Sequence, residues 1–231
     1  MFSPETLDFL ATNRFMNSRE WYAEHKPDFK QYVLQPMIDL VEALTPTLES
    51  IDDRIVTEPK VDKTISRIYR DMRRAHGAFY REVMWLTFKR DKRMFPGYPE
   101  FFFVFSPNEC FYGCGQYAPS GETMTCVRQM IVRSDPLFRK ADKVYRSEDA
   151  YTLYGEPYKR SRFPGESAEK REWLDRRAIC LVREFSSFEP MFSPSFAQEM
   201  AQDFQRMSPV YHMLIAAEQA ANELRVDGID E

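Results

Sequence analysis

The chain has 231 residues, of which 43% are hydrophobic and 15% aromatic, enough apolar surface for a sizeable core. Charged residues make up 29%, and Gly plus Pro only 23 positions, which excludes disordered, collagen-like and low-complexity chains. The net charge of −4 disfavours a generic nucleic-acid binder.

In chain order, Ser3-Pro4 is a cap followed by a first-turn proline, and Leu7, Phe9, Leu10 and Phe15 supply the apolar contacts of a first helix. Ser18 caps a second helix with Trp21 and Tyr22 in its first turn, and Trp21 reads as a core anchor. From Phe29 to Leu44 apolar residues recur at i, i+3/i+4 spacing, interrupted by Pro36, which bends the helix. Thr45-Pro46 restricts the backbone, and the helix frays by Ser50. Residues 54–57, 82–88, 100–105 and 108–117 are rich in β-branched and aromatic residues and predict strands, with a hairpin at Ser106-Pro107-Asn108. Residues 64–74 fit either period; the strand reading places Arg67, Tyr69, Asp71 and Arg73 on one face.

Helical spacing returns after Gly121, through Met124, Val127, Met130 and Ile131, and again from Asp135-Pro136 to about Tyr145. Residues 151–165 read as a loop with room for a short strand. A helix is predicted from Glu169 to Phe185, with Trp173, Ile179, Cys180 and Val182 inward. Ser193-Pro194 opens a C-terminal helix, and Pro209 marks a break before Val210–Leu224. With no repeat and no linker, the expectation is a single α+β domain over 1–231: helical over 1–50, mainly sheet over 54–118 and mainly helical over 120–226. Helices from both termini should cover an antiparallel, aromatic-rich sheet.

No apolar run reaches the ~18 residues of a membrane span, and residues 1–6 lack the basic start and apolar run of a signal peptide. The four cysteines include no C-x-x-C pair, and the three histidines form no zinc spacing. A cytoplasmic, reduced protein with no membrane partner, no metal and no cofactor is the expectation. Phe111–Tyr117 carries alternate glycines, Gly113 and Gly115, but no complete dinucleotide fingerprint. Glycines so placed in a strand mark a close approach of another backbone, a bulge or a ligand lying on the sheet, and Cys114 between them reads as a packed thiol.

Charge is unevenly distributed. Residues 1–59 carry 5 basic and 11 acidic side chains, whereas residues 60–93 carry 11 and 4, and Arg outnumbers Lys 22 to 10. Arginine is the side chain for bidentate pairing with carboxylate or phosphate. In residues 64–74 four arginines stand within eight positions beside one aspartate, so some guanidiniums need partners elsewhere, in flanking helices or in a bound anion.

These residues also carry a family resemblance. Leu7-Asp8-Phe9-Leu10, Asn17-Ser18-Arg19-Glu20-Trp21-Tyr22, the Arg67-Ile68-Tyr69-Arg70-Asp71-Met72-Arg73 run and Gly113-Cys114-Gly115 are its main pieces. Val127–Ile131, Pro157-Tyr158-Lys159-Arg160 and Ser208-Pro209 complete it. Together they resemble the bacterial and fungal family called domain of unknown function 2461, over nearly the whole chain. In many relatives the arginine run leads into a Lys-rich stretch ending Pro-Tyr-Lys; here His76–Arg81 stands in its place without the lysines or the proline. The resemblance implies no activity, substrate or cofactor.

The functional expectation is an Arg-lined cleft for a small phosphate- or carboxylate-bearing ligand, with Arg67, Tyr69, Arg70, Asp71, Arg73, Arg128 and Arg160 as ligand-binding candidates. An enzyme working by metal-free acid–base chemistry through Asp71, His76 or Tyr80 is an alternative. A module for an acidic partner or RNA is another, although nucleic acid is disfavoured by the overall charge.

Overall fold

The structure is a computed structural model describing residues 1–71, 73 and 77–227. In chain order come α1 (Pro4–Met16), α2 (Arg19–Glu24), α3 (Lys26–Asp28), a π-helical turn (Phe29–Leu34) and α4 (Gln35–Ile51). Then follow β1 (Met84–Phe88), β2 (Glu100–Ser106), β3 (Glu109–Gln116), α5 (Gly121–Val132), α6 (Pro136–Ser147) and β4 (Tyr151–Tyr154). The chain continues with α7 (Ala168–Leu174), β5 (Ile179–Glu184), α8 (Glu189–Phe192) and α9 (Phe196–Asp227). The α+β class holds: 50% of the chain is helical and 17% strand, with an antiparallel sheet of order β1-β2-β3-β5-β4. No helix among the described residues is long and apolar enough to cross a membrane.

The chain divides into two compact units. One comprises Met1–Phe88, Phe102–Tyr112 and Phe185–Asp203; the other comprises Lys89–Phe101, Gly113–Glu184 and Phe204–Glu231. In the first unit, Phe2 meets Phe103 and Phe105 edge-on at 5.8 and 5.1 Å, and Phe196 packs on Phe103 and Tyr112. The buried Tyr112 hydroxyl donates to Asp203 Oδ2 at 2.7 Å, so both of these groups enter the core with a partner. Pro36 falls at the start of α4, directly after the π-helical turn. Proline has no N–H to offer the Tyr32 carbonyl four residues earlier, and the buried Thr6 hydroxyl of α1 donates to that oxygen at 2.6 Å.

In the second unit, Phe101 lies between Phe204 and Tyr211, at 4.9 and 5.0 Å. Trp173 is fully buried, with Phe138 and Tyr145 edge-on to it. Gln116 and Thr123 each donate to the buried Glu218 carboxylate at 2.8 Å, and Arg225 pairs with it at 3.3 Å. Strands β4 and β5 pair antiparallel, Tyr151 opposite Arg183 and Tyr154 opposite Cys180.

Several sequence expectations need correction. Residues 54–57 form no strand; Ile55 alone carries a bridge. The described residues of 64–74 are neither strand nor helix but an irregular extended stretch with isolated bridges at Ile65 and Tyr69. Its burial fails to alternate, since Ile65, Ser66 and Ile68 all turn inward. The predicted helix over 169–185 stops at Leu174 and gives way to β5. Ile179–Val182 is buried on both faces, and such a run has no alternation to distinguish it from a helix. Pro209 does not break α9: Met207, Val210, Tyr211, Met213 and Leu214 are buried at continuous helical spacing, and that packing outweighs one lost hydrogen bond. Phe15 of α1 faces solvent, and Trp21 is half-buried, stacked on His25 at 4.1 Å; Tyr22 is the core residue of α2.

Candidate functional site: a cationic cavity walled by tyrosines

The site begins with two caps. Asn17 ends α1 in the left-handed region at φ 45°, a conformation asparagine tolerates, and Ser18 starts α2 by accepting the Trp21 N–H at 3.1 Å. Helical hydrogen bonding continues past α2, from His25 N–H to Trp21 and from Phe29 N–H to His25. Arg19, Tyr22, Ala23 and Lys26, spaced i, i+3, i+4 and i+7, therefore share one face.

Opposite that face lies a short antiparallel ladder. The Arg70 N–H donates to Phe79 at 2.9 Å, the Arg81 N–H to Ile68 at 2.8 Å, and Tyr69 bridges Tyr80. Asn17 clamps the ladder to the helices: its Nδ2 donates to the Gly77 carbonyl at 2.9 Å and its Oδ1 accepts the Phe79 N–H at 2.7 Å. Gly77 sits at φ +84°, a conformation side chains resist. Asn17→Ala removes both bonds and places an unfavourable residue at positive φ, so a loss of about 2 kcal/mol is expected. Asn17→Gly keeps the backbone conformation and should cost less. Thermal unfolding of the two variants separates the clamp from the cap, and equal melting temperatures would show that backbone conformation contributes nothing.

Between helix face and ladder lies a cavity of about 320 Å³, entirely within the first unit, lined by Arg19, Tyr22, Ala23, Lys26, Tyr69, Arg70, Phe79 and Tyr80. Its walls are aromatic. Tyr22, Tyr69 and Tyr80 form a triangle with ring centroids 4.9–5.4 Å apart, and the Arg19 guanidinium lies 4.8 Å over the Phe79 ring. Burial, together with the neighbouring tyrosines, pushes the Tyr22 phenol well above its usual range, and burial raises Tyr80 as well. Both rings thus stay neutral at physiological pH. Arg19, Lys26 and Arg70 supply positive charge, and among the described residues none of them has a carboxylate within ion-pair distance.

Of the residues singled out in the sequence, Tyr69, Arg70 and Tyr80 line this cavity. Arg67 instead pairs with Asp62, both exposed. Arg73 grips Asp71 through Nε and Nη2 at 3.0 and 2.9 Å, which holds the Asp71 carboxyl below the usual carboxylate range. His76 lies outside the described residues. Arg128 and Arg160 belong to the second unit. Arg128 donates to the Leu174 and Arg176 carbonyls and to the Tyr158 hydroxyl, tying a loop together, and Arg160 is exposed. Cys114 is buried and its thiol pushed well up by that burial, in keeping with a packed residue. No group of three or more His, Cys, Asp or Glu suited to a metal ion occurs among the described residues. Sequence reasoning missed Arg19, Tyr22, Ala23 and Lys26 as site residues. The i, i+3, i+4, i+7 spacing of Arg19, Tyr22, Ala23 and Lys26 was the available signal.

The family model of the conserved hypothetical proteins DUF2461 matches residues 5–213. The chain belongs to the DUF2461 family. All the residues lining the cavity fall within the DUF2461 match. No curated protein matches the chain.

Proposed function

We propose that this DUF2461 protein binds a small anionic ligand, bearing phosphate or carboxylate, in the cavity between α2 and the Tyr69–Tyr80 ladder. The observation that carries this reading is the convergence of Arg19, Lys26 and Arg70 on one cavity without a carboxylate partner among the described residues. Like charges gathered around aromatic walls repel one another, and an anion relieves that repulsion while accepting their hydrogen bonds. Arg67, Asp71 and Arg73 stand outside the lining as surface ion pairs.

The test is thermal unfolding in phosphate against chloride at matched ionic strength. With ~10 mM phosphate and a Kd of about 1 mM, mass action gives about 1.4 kcal/mol, or a rise of roughly 3–6 °C. Arg70→Ala and Arg19→Ala should each remove most of that rise, whereas Arg67→Ala should keep it. Equal melting temperatures in phosphate, acetate and chloride would overturn the reading.

A further inference from the structure

We infer that the ligand of this cavity carries a flat aromatic or heteroaromatic ring next to its anionic group. The inference rests on the anion-binding reading above and extends it to a class of compound.

Three observations support a ring. The first is size: about 320 Å³ holds on the order of ten waters at ~30 Å³ each. A lone tetrahedral anion against Arg19 or Arg70 would leave most of that space as water facing ring carbon. The second is the walls. Tyr69 is 49% exposed and lines the cavity, and its ring is fixed edge-on to Tyr22 and tilted against Tyr80. The ring is thus held in place while about half of the residue is open to solvent, which leaves aromatic surface for stacking. The third is the gap in the helix face. Ala23 stands between Arg19 and Lys26, seven residues or about 10 Å of helix apart, so a ring can lie over the small residue while its acidic group reaches a cation.

The Arg19 guanidinium fits the same picture. Stacked on Phe79, it has one face occupied, and its in-plane N–H donors are left to meet an anion in the cavity. The neutral phenols put no negative charge of their own beside the ligand. Ring stacking and charge pairing thus act on adjacent parts of one molecule, and each should appear separately in binding data.

The experiment is calorimetric titration of the intact protein with phenyl phosphate, methyl phosphate and inorganic phosphate, and with benzoate against acetate. Phenyl phosphate is expected to bind at least tenfold more tightly than methyl phosphate, and benzoate more tightly than acetate. Tyr69→Ala should reduce phenyl phosphate to the methyl phosphate level while leaving methyl phosphate unchanged, and Tyr69→Phe should restore the difference. Ala23→Leu, which fills the gap and keeps every charge, should weaken phenyl phosphate more than inorganic phosphate. Circular dichroism of each variant reports its fold, and Tyr69→Phe keeps the comparison valid if the alanine variant unfolds. Equal affinity for phenyl and methyl phosphate would overturn the ring inference and leave the anion reading standing. Binding of neither would overturn both.

Discussion

Gly115→Ala is expected to damage the sheet severely. A Cβ at this position would fall 2.4 Å from both the Cys180 Cα and the Ile179 carbonyl oxygen, and 2.6 Å from the Cys180 sulfur. The first two of these atoms are backbone of the neighbouring strand β5, so no side-chain rotation relieves the clash. The strands must separate locally, which weakens ladder hydrogen bonds and opens packing on both faces of β5, where Ile179–Val182 are buried. A cost of about 3 kcal/mol or more follows, which for a chain of this size lowers the melting temperature by roughly 6–12 °C. Gly121→Ala is the control, since a Cβ there meets nothing within 4 Å. If Gly115→Ala melts with the unaltered protein, β3 and β5 do not approach as described.

Trp173→Ala should rank beside it. Trp173 is fully buried at the end of α7, and the rings of Phe138 and Tyr145 stand perpendicular to it, each at 5.7 Å. Truncation leaves a cavity bounded by residues from α6 and α7, and the typical penalty is about 3–5 kcal/mol. The indole N–H also donates to Asp142 Oδ1 at 2.8 Å, while Arg146 holds the other carboxylate oxygen. Trp173→Phe keeps most of the packing and loses that bond, so its cost should be a fraction of the alanine value. Chemical denaturation of both variants measures the division. A phenylalanine variant as unstable as alanine would assign the stability to the hydrogen bond rather than to burial.

The fold was legible wherever local chemistry and burial agree. Ser3, Ser18 and Asp135 stand at the helix starts they mark, and the β2–β3 hairpin follows from the turn residues at 106–108 between aromatic runs. The Gly115 approach was legible as one of three uses of alternate glycines in a strand, beside a bulge or a ligand on the sheet, and the backbone of β5 decides among them. Strand β5 was not, since burial on both faces erases the alternation that marks a strand. Pro209 misled for the opposite reason: a strong local breaker is overridden by packing that extends far beyond it. At the cavity, Tyr69, Arg70 and Tyr80 stood out because they lie in the segment of strongest positive charge. Arg19 and Lys26 did not, because they sit in an acidic segment whose sum conceals them. Charge summed along a chain averages over residues that a helix sorts onto opposite faces, and only folding shows which of them share a cavity.

The Thr6 hydroxyl and the Tyr32 carbonyl bear on how the N-terminal helices assemble. By removing a donor at position 36, the sequence makes a backbone requirement of the π-helical turn depend on a side chain 26 residues away in α1. An isolated α4 with its π-helical approach would lack this donor, and in α1 alone the Thr6 hydroxyl, which still accepts the Ser3 N–H, would have only water to take its proton. The two helices therefore reach their low-energy hydrogen bonding together, and the proline that looks like a local defect acts as a long-range cooperative link in the first unit.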